Sequence, residues 1–260
     1  MGVPKAARPL PEFPGEHRQF VYQAGGRAGA LNSRPLHVPD GGRQVRTSLG
    51  EKLSRDVAIA GAGFTGLWTA YYLHLLDPRI RIAVVEREIA GFGASGRNGG
   101  WCSALFPPAS SGLARRHGLQ AAVAVRRAMH ESVVEVGEVA EREGIEVDYA
   151  RGGTISLARN EAQLTRAREL VDEERRLTGA VEGLELLSKA EAEEIAGATQ
   201  VLGATYTPHC AVVHPLKLVR GLADRLEERG VSIFERTAAS KVEPGAIVTA
   251  IDGPAPPVAA

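Results

Sequence analysis

Hydrophobic positions along the 260-residue chain change period several times, and each change marks an element. Val57-Ala58-Ile59-Ala60 is an unbroken apolar run, as suits a strand covered on both faces in a parallel sheet. A helical pattern follows through Leu67, Ala70, Tyr71 and Leu75, and Asp77-Pro78 stops it. A second apolar strand runs from Ile80 to Val85 and ends on the acidic Glu86. Trp101 to Phe106 is apolar again until Pro107-Pro108 breaks it. From Gly112 to Gly144 the pattern predicts one helix, with Leu119, Val123, Val133, Val136 and Val139 at helical intervals. Its polar face carries Arg115, Arg116, Arg126 and Arg127, which read as solvated.

The second half alternates in the same way. Val147 to Ala158 reads as extended, with Gly152 to Ala158 opening a second sheet. Asn160 is placed to cap an amphipathic helix through Leu164, Ala167 and Val171 to about Thr178. Ser188 and Glu191 have capping-box spacing for a short acidic helix. Val201 to Val213 predicts strand and turn. Pro215 then opens a helix through Leu218, Leu222 and Leu226 that Gly230 ends. His214, just before it, reads as a core or cap histidine. Val231 to Phe234 is a further strand, and a right-handed crossover would return it to the first sheet.

Chemistry enters between the first two strands. Gly61, Gly63 and Gly66 are spaced G-x-G-x-x-G immediately after a strand and at the start of a helix. Gly61 permits the tight turn, Gly63 offers no side chain to block a pyrophosphate, and Gly66 lets helix and strand lie close. The helix start presents free N–H groups and a positive dipole end to phosphate. Glu86 stands about 20 residues after Gly66, the distance expected of an acid that accepts ribose hydroxyls. A carboxylate there repels a 2′-phosphate, which disfavours NADP. Together these features predict dinucleotide binding.

A second glycine-rich loop, Gly91-Phe92-Gly93-Ala94-Ser95-Gly96-Arg97-Asn98-Gly99-Gly100, follows Glu86. A NAD-binding domain has no need of it, whereas Ser95, Arg97 and Asn98 could bond to phosphate or a ring edge. With GAGFTGLWTAYYL, VVERE and GFGASGRNGG, the chain resembles FAD-dependent oxidoreductases of the D-amino acid oxidase, glycine oxidase and sarcosine oxidase type, in the gamma-glutamylputrescine oxidase-like branch. The resemblance is strong from Asp56 to about Pro108 and continues, more weakly, to about Thr249. It implies an α/β fold: a Rossmann-like FAD-binding domain, its parallel sheet having helices on both faces, plus the beginning of an α+β substrate domain. By position it implies that Gly61, Gly63, Phe64, Thr65, Gly66, Glu86 and Arg87 bind the ADP half of FAD. Ala94, Ser95, Arg97, Asn98, Gly99 and Gly100 would bind the flavin side. The implied reaction oxidises the C–N bond of a small amine or amino acid to an imine, with dioxygen as acceptor and hydrogen peroxide as product. The alternatives are a NAD-dependent dehydrogenase and a non-catalytic dinucleotide-binding fragment. No catalytic acid–base pair can be assigned.

Composition narrows the field further. Lys plus Arg and Asp plus Glu both number 31, so nothing draws the chain to nucleic acid or an anionic membrane. No apolar run approaches the length of about 18 that spans a bilayer. Two cysteines, Cys102 and Cys210, make neither a disulfide framework nor a metal-ligand spacing. A cytoplasmic protein with reduced thiols and no metal is the expectation. The expected organisation is a poorly ordered lead over 1–55, an FAD-binding part over 56–150, a partial substrate domain over 151–208, a return to the FAD domain over 209–250 and a tail over 251–260. The resemblance also implies a later strand, the bulk of the substrate domain and a C-terminal glycine motif. Their absence suggests roughly the first half or more of a longer enzyme.

Overall fold

The computed structural model describes residues 45–178 and 183–249. The expectations for residues 1–44 of the lead and for the 251–260 tail lie outside the described residues.

In chain order, β1 (Val57–Ala60) leads into α1 (Phe64–Leu76), β2 (Ile82–Val85), the single-turn α2 (Ala94–Arg97) and β3 (Trp101–Ser103). The predicted helix over 112–144 is two helices, α3 (Ser110–His117) and α4 (Leu119–Arg142). The break falls at Gly118, whose φ of 88° lies outside the helical region and closes α3 with a bond from its N–H to the Ala114 carbonyl. Then come β4 (Ala150–Arg151), β5 (Thr154–Ala158), α5 (Glu161–Thr178), β6 (Glu185–Ser188) and α6 (Lys189–Ala196). The chain continues with β7 (Gly203–Thr207), β8 (Cys210–Val212), α7 (Pro215–Glu228) and β9 (Ser232–Phe234), and closes with the hairpin β10 (Ala239–Glu243) and β11 (Ala246–Thr249).

The described residues divide into two compact units. One comprises 45–102, 131–150 and 212–249, and the other 103–130, 151–178 and 183–211.

The first unit is α/β. Its sheet has the order β1-β2-β9 and all pairings are parallel, Val57 to Ala60 facing Ile82 to Val85 and Ala83 to Val85 facing Ser232 to Phe234. β9 thus returns to the first sheet as the pattern predicts. β2 reads Ile-Ala-Val-Val and is buried throughout, because it is the central strand. Asp56 accepts the Arg81 main-chain N–H at 2.9 Å and its guanidinium at 2.7 and 3.0 Å, which ties together the entries to β1 and β2.

Helices α1 and α7 pack on this sheet and on each other. α1 buries Leu67, Ala70 and Tyr71, while α7 buries Leu218, Val219, Leu222, Ala223 and Leu226 at helical spacing. Each fully buried Leu or Val contributes about 1.5–3 kcal/mol. Pro215 opens α7, and His214 Nδ1 caps it by accepting the Lys217 N–H at 3.3 Å. Tyr71 donates its hydroxyl to Glu143 at 2.7 Å, and Arg229 donates to the other Glu143 oxygen at 2.5 Å. Burial pushes the Glu143 carboxyl up, but bonds from Arg229 and Tyr71 outweigh it and hold it below the ordinary carboxylate value.

The second unit carries an antiparallel sheet, β5-β7-β6, with Thr154 facing Thr207 and Glu185 facing Tyr206. Leu187, Ala192, Val201 and Ala204 form its core. Asn160 Oδ1 accepts the Gln163 N–H at 2.9 Å at the start of α5. At α6 both capping-box bonds are present, Ser188 Oγ with the Glu191 N–H and Glu191 Oε2 with the Ser188 N–H. One surface expectation fails. Arg126 donates to Ser110 Oγ and to the Phe106 and Pro108 carbonyls and pairs with Glu174, so its side chain is only 13% exposed. Sequence could not show this, because its partners come from a loop and from α5. The rings of His130 and His209 stack 3.7 Å apart in the same unit.

Candidate functional site: two glycine-rich loops around the start of α1

The C-terminal end of a parallel strand followed by a helix start is where open α/β sheets bind ligands. Here that place is the turn from β1 to α1. Gly61 has φ of 103°, a value that strains any L side chain. A Cβ on Gly66 would lie 2.0 Å from the Gly61 carbonyl oxygen, so glycine alone lets α1 start this close to its own turn. A Cβ on Gly63 would lie 2.9 Å from Ser95 Oγ.

Glu86 closes the turn from the end of β2. Its Oε2 accepts the Ala62 N–H at 2.8 Å and its Oε1 accepts the Glu88 N–H at 3.0 Å. Each oxygen retains a lone pair for a further donor. The carboxylate therefore does something that the spacing alone did not reveal: it shapes the glycine turn.

The second loop is joined directly to the first. Ser95 Oγ accepts the Phe64 N–H at 2.9 Å, and the Gly91 N–H donates to the Ala62 carbonyl at 3.0 Å. Expected only as a loop, this segment contains α2. A Cβ on Gly96 would lie 2.1 Å from the Gly91 carbonyl oxygen, and one on Gly91 2.3 Å from Val219 Cγ1. Gly100, at φ of 72°, has the Val213 carbonyl oxygen 2.2 Å from its Cβ position. Gly99 has nothing within 4 Å and is open.

The remaining predicted residues fall into two groups. Asn98 is spent on the loop itself: its amide donates to the Ala94 and Ser95 carbonyls at 3.2 and 2.9 Å, and its Oδ1 accepts the Gly100 N–H at 2.9 Å. It therefore finishes α2 and shapes the descent to Gly100. Arg97 is exposed and lies over the Phe92 ring, 4.1 Å from its centroid. Thr65, Ala94 and Arg87 are exposed, with Arg87 in a 3.5 Å surface pair with Glu88. Phe64 lends its main-chain N–H to the join, and its side chain packs on the core.

Sequence reasoning missed one contributor, Arg46. Its main-chain N–H and its guanidinium both donate to Glu235 at 2.9 Å. The same guanidinium pairs with Asp224 and Glu227 at 2.6 Å. Glu235 in turn accepts the Ala90 N–H at 2.9 Å, at the threshold of the second loop. Burial pushes the Glu235 carboxyl up, but the N–H groups of Ala90 and Arg46 and the Arg46 charge overcome this and lower it. No periodic pattern marks Arg46, since it belongs to no helix or strand.

Among the described residues no group of three or more His, Cys, Asp or Glu side chains could hold a metal ion. None of the described helices is long and apolar enough to cross a membrane. Fold and loops together define a dinucleotide-binding α/β domain with a glycine turn at a helix start, a carboxylate after β2 bonded to that turn, and a second loop bonded to the first. The family described as FAD dependent oxidoreductase matches residues 56–255, and the chain belongs to it. FAD is the cofactor of that family and therefore of this domain.

The chain is 30% identical over 196 residues to the gamma-glutamylputrescine oxidoreductase of Escherichia coli, covering 75% of this chain and 45% of that one. It is 26% identical over 227 residues to the mitochondrial L-2-hydroxyglutarate dehydrogenase of Homo sapiens, covering 86% of this chain and 44% of that one. Among solved structures it is similar to glycine oxidase from Geobacillus kaustophilus, with TM-score 0.57 and 28% identity over 75% of this chain and 51% of that one. L-amino acid deaminase from Proteus vulgaris shares the fold at TM-score 0.62 and 22% identity, over 81% of this chain and 47% of that one. The chain spans about half the length of the relatives it matches.

Proposed function

We propose that this chain supplies the FAD-binding part of an enzyme that oxidises the C–N bond of a small amine or amino acid to an imine. Two electrons and two protons leave the substrate, dioxygen accepts them, and hydrogen peroxide is the product. The observation that carries the reading is the bond from the Phe64 N–H to Ser95 Oγ, which makes the two glycine-rich loops one continuous surface. A nicotinamide dinucleotide needs only the first loop. An extended flavin dinucleotide has use for both. Two relatives with amine or amino-acid substrates in their names, gamma-glutamylputrescine oxidoreductase and glycine oxidase, support the substrate class.

FAD, when bound, supplies the hydride-accepting ring. The chain's own residues bind and orient. Gly61, Gly63 and Gly66 leave the turn open for the pyrophosphate, and the first-turn N–H groups of α1 at Thr65 and Gly66 have no acceptor inside the helix. Glu86 accepts the ribose hydroxyls while keeping its hold on Ala62. Arg87 stands beside the adenosine end. Ser95, already an acceptor, keeps its hydroxyl proton to donate toward phosphate. Ala94, Gly99 and Gly100 line the route without bulk, Asn98 sets its curve, and Arg97 brings the loop's positive charge. A cytoplasmic location with reduced thiols belongs to the same reading.

The test is reconstitution with FAD followed by a substrate screen. Amines, amino acids and 2-hydroxy acids are offered under air, with peroxide read by a coupled peroxidase assay and flavin bleaching read without oxygen. Peroxide with an amine or amino acid supports the proposal. Bleaching by 2-hydroxy acids alone transfers it to C–O oxidation, the chemistry named in the hydroxyglutarate relatives. Absence of any flavin spectrum after reconstitution refutes it.

A further inference from the structure

Residues 45–49 precede the stretch that matches the family, which begins at residue 56, yet they are bonded into its core. The contacts form a continuous path. Arg46 donates twice to Glu235, whose carboxylate also accepts the Ala90 N–H at 2.9 Å. Gly91, the next residue, donates to the Ala62 carbonyl, and Ala62 donates to Glu86. A second path runs beside it. The Leu49 N–H donates to Thr237 Oγ1 at 3.0 Å, and the Thr237 N–H donates to the Glu86 carbonyl at 2.8 Å. The first path ends on the glycine turn and the Glu86 carboxylate, the second on the Glu86 main-chain carbonyl.

Burial makes the arrangement consequential. The side chains of Arg46 and Glu235 are 10% and 4% exposed. Removing the guanidinium would leave a buried carboxylate with no opposite charge, and it would turn toward water and release Ala90. Three carboxylates, Asp224, Glu227 and Glu235, converge on the one guanidinium. A lysine amine is a single point and cannot bridge two carboxylates of α7 and Glu235, just past β9, as the planar fork does.

We propose that residues 45–49 are a strap built into the cofactor site, and that Arg46, acting through Glu235, is a positioning residue for the second glycine-rich loop whose loss weakens FAD binding. The proposal rests on the reading that the two loops hold FAD. Its structural half, the hold of Arg46 on Ala90, does not.

The experiment compares the 260-residue chain with its Arg46→Met, Arg46→Lys and Arg229→Met variants. Arg229 pairs with buried Glu143 in the same unit but bonds to nothing in the loop, so it controls for general destabilisation. Two quantities are read: amide hydrogen exchange over residues 88–98 of the flavin-free protein, and FAD affinity by fluorescence titration. Arg46→Met is expected to speed exchange at least tenfold over 88–98 and to raise the FAD Kd at least tenfold. Arg46→Lys should fall between it and the parent, and Arg229→Met should change neither by more than about twofold. Where Arg46→Met does not fold, Arg46→Lys decides alone on the same two quantities. Unchanged exchange over 88–98 overturns the proposal whether or not FAD binds. Faster exchange in a protein whose parent binds no FAD strikes down the FAD reading of the loops and with it the cofactor half of the proposal.

Discussion

Gly66→Ala is the most demanding test of the site geometry. The added methyl carbon would lie 2.0 Å from the Gly61 carbonyl oxygen and 3.2 Å from Ile59 Cγ2. Carbon and oxygen at van der Waals contact need more than 3 Å, so about 1 Å of separation must open between α1 and the turn that feeds it. The obstacle is backbone, and no rotamer change relieves it. Leu67, Ala70 and Tyr71, which α1 buries, would move with it. Overpacking of this kind costs about 1–3 kcal/mol, and a backbone clash belongs at the upper end, about 3 kcal/mol. At about 2–4 °C per kcal/mol for a chain of this size, the melting temperature should fall by roughly 6–12 °C. The FAD Kd should rise at least ~10-fold, since the same shift re-aims the first-turn N–H groups. Thermal melts by circular dichroism and FAD titration read the two effects. Gly99→Ala is the internal control, because nothing lies within 4 Å of its Cβ position, and it should stay within about 0.5 kcal/mol of the parent. A Gly66→Ala protein that melts within about 1 °C of the parent would refute the argument for close helix–turn packing.

Three other outcomes are expected. Glu86→Ala removes the acceptor of the buried Ala62 N–H, so it should cost about 1–3 kcal/mol in denaturant melts and weaken FAD at least ~10-fold, whereas an effect on stability alone would remove Glu86 from the ribose side. Acid should unfold the first unit through Glu143 and Glu235, whose native carboxyls are both held below their unfolded values. The stability they confer is complete above an unfolded pKa of about 4.3 and drains as pH falls from there toward the native values, so an acid titration should be visibly flatter for Glu143→Gln; an identical acid limb in that variant would contradict it. Ser188→Ala should lower stability by about 1 kcal/mol through loss of the α6 capping box and leave FAD affinity unchanged.

Short-range physics made much of this protein legible. The β1–α1–β2 unit was readable because apolar runs, three glycines and a terminal acid each obey local rules. The caps at Asn160, Ser188 and His214 were readable for the same reason: a cap and the N–H that donates to it lie three residues apart. The α3–α4 break was hidden, because an apolar pattern can run through a glycine whose positive φ the sequence does not display. Arg126 looked like a surface charge because its partners are 16–48 residues away.

The candidate site divides along the same line. The sequence by itself determined that a dinucleotide turn and a second glycine loop exist, and that Glu86 follows at ribose distance. Only the tertiary structure decided that Ser95 reaches back 31 residues to the Phe64 N–H and that Asn98 is spent on its own loop. It alone joined Arg46 to Glu235 across 189 residues. Sequence periodicity carries the hydrophobic face of one element. Hydrogen bonds between elements depend on where the sheet and its helices come to rest, and that is fixed by packing.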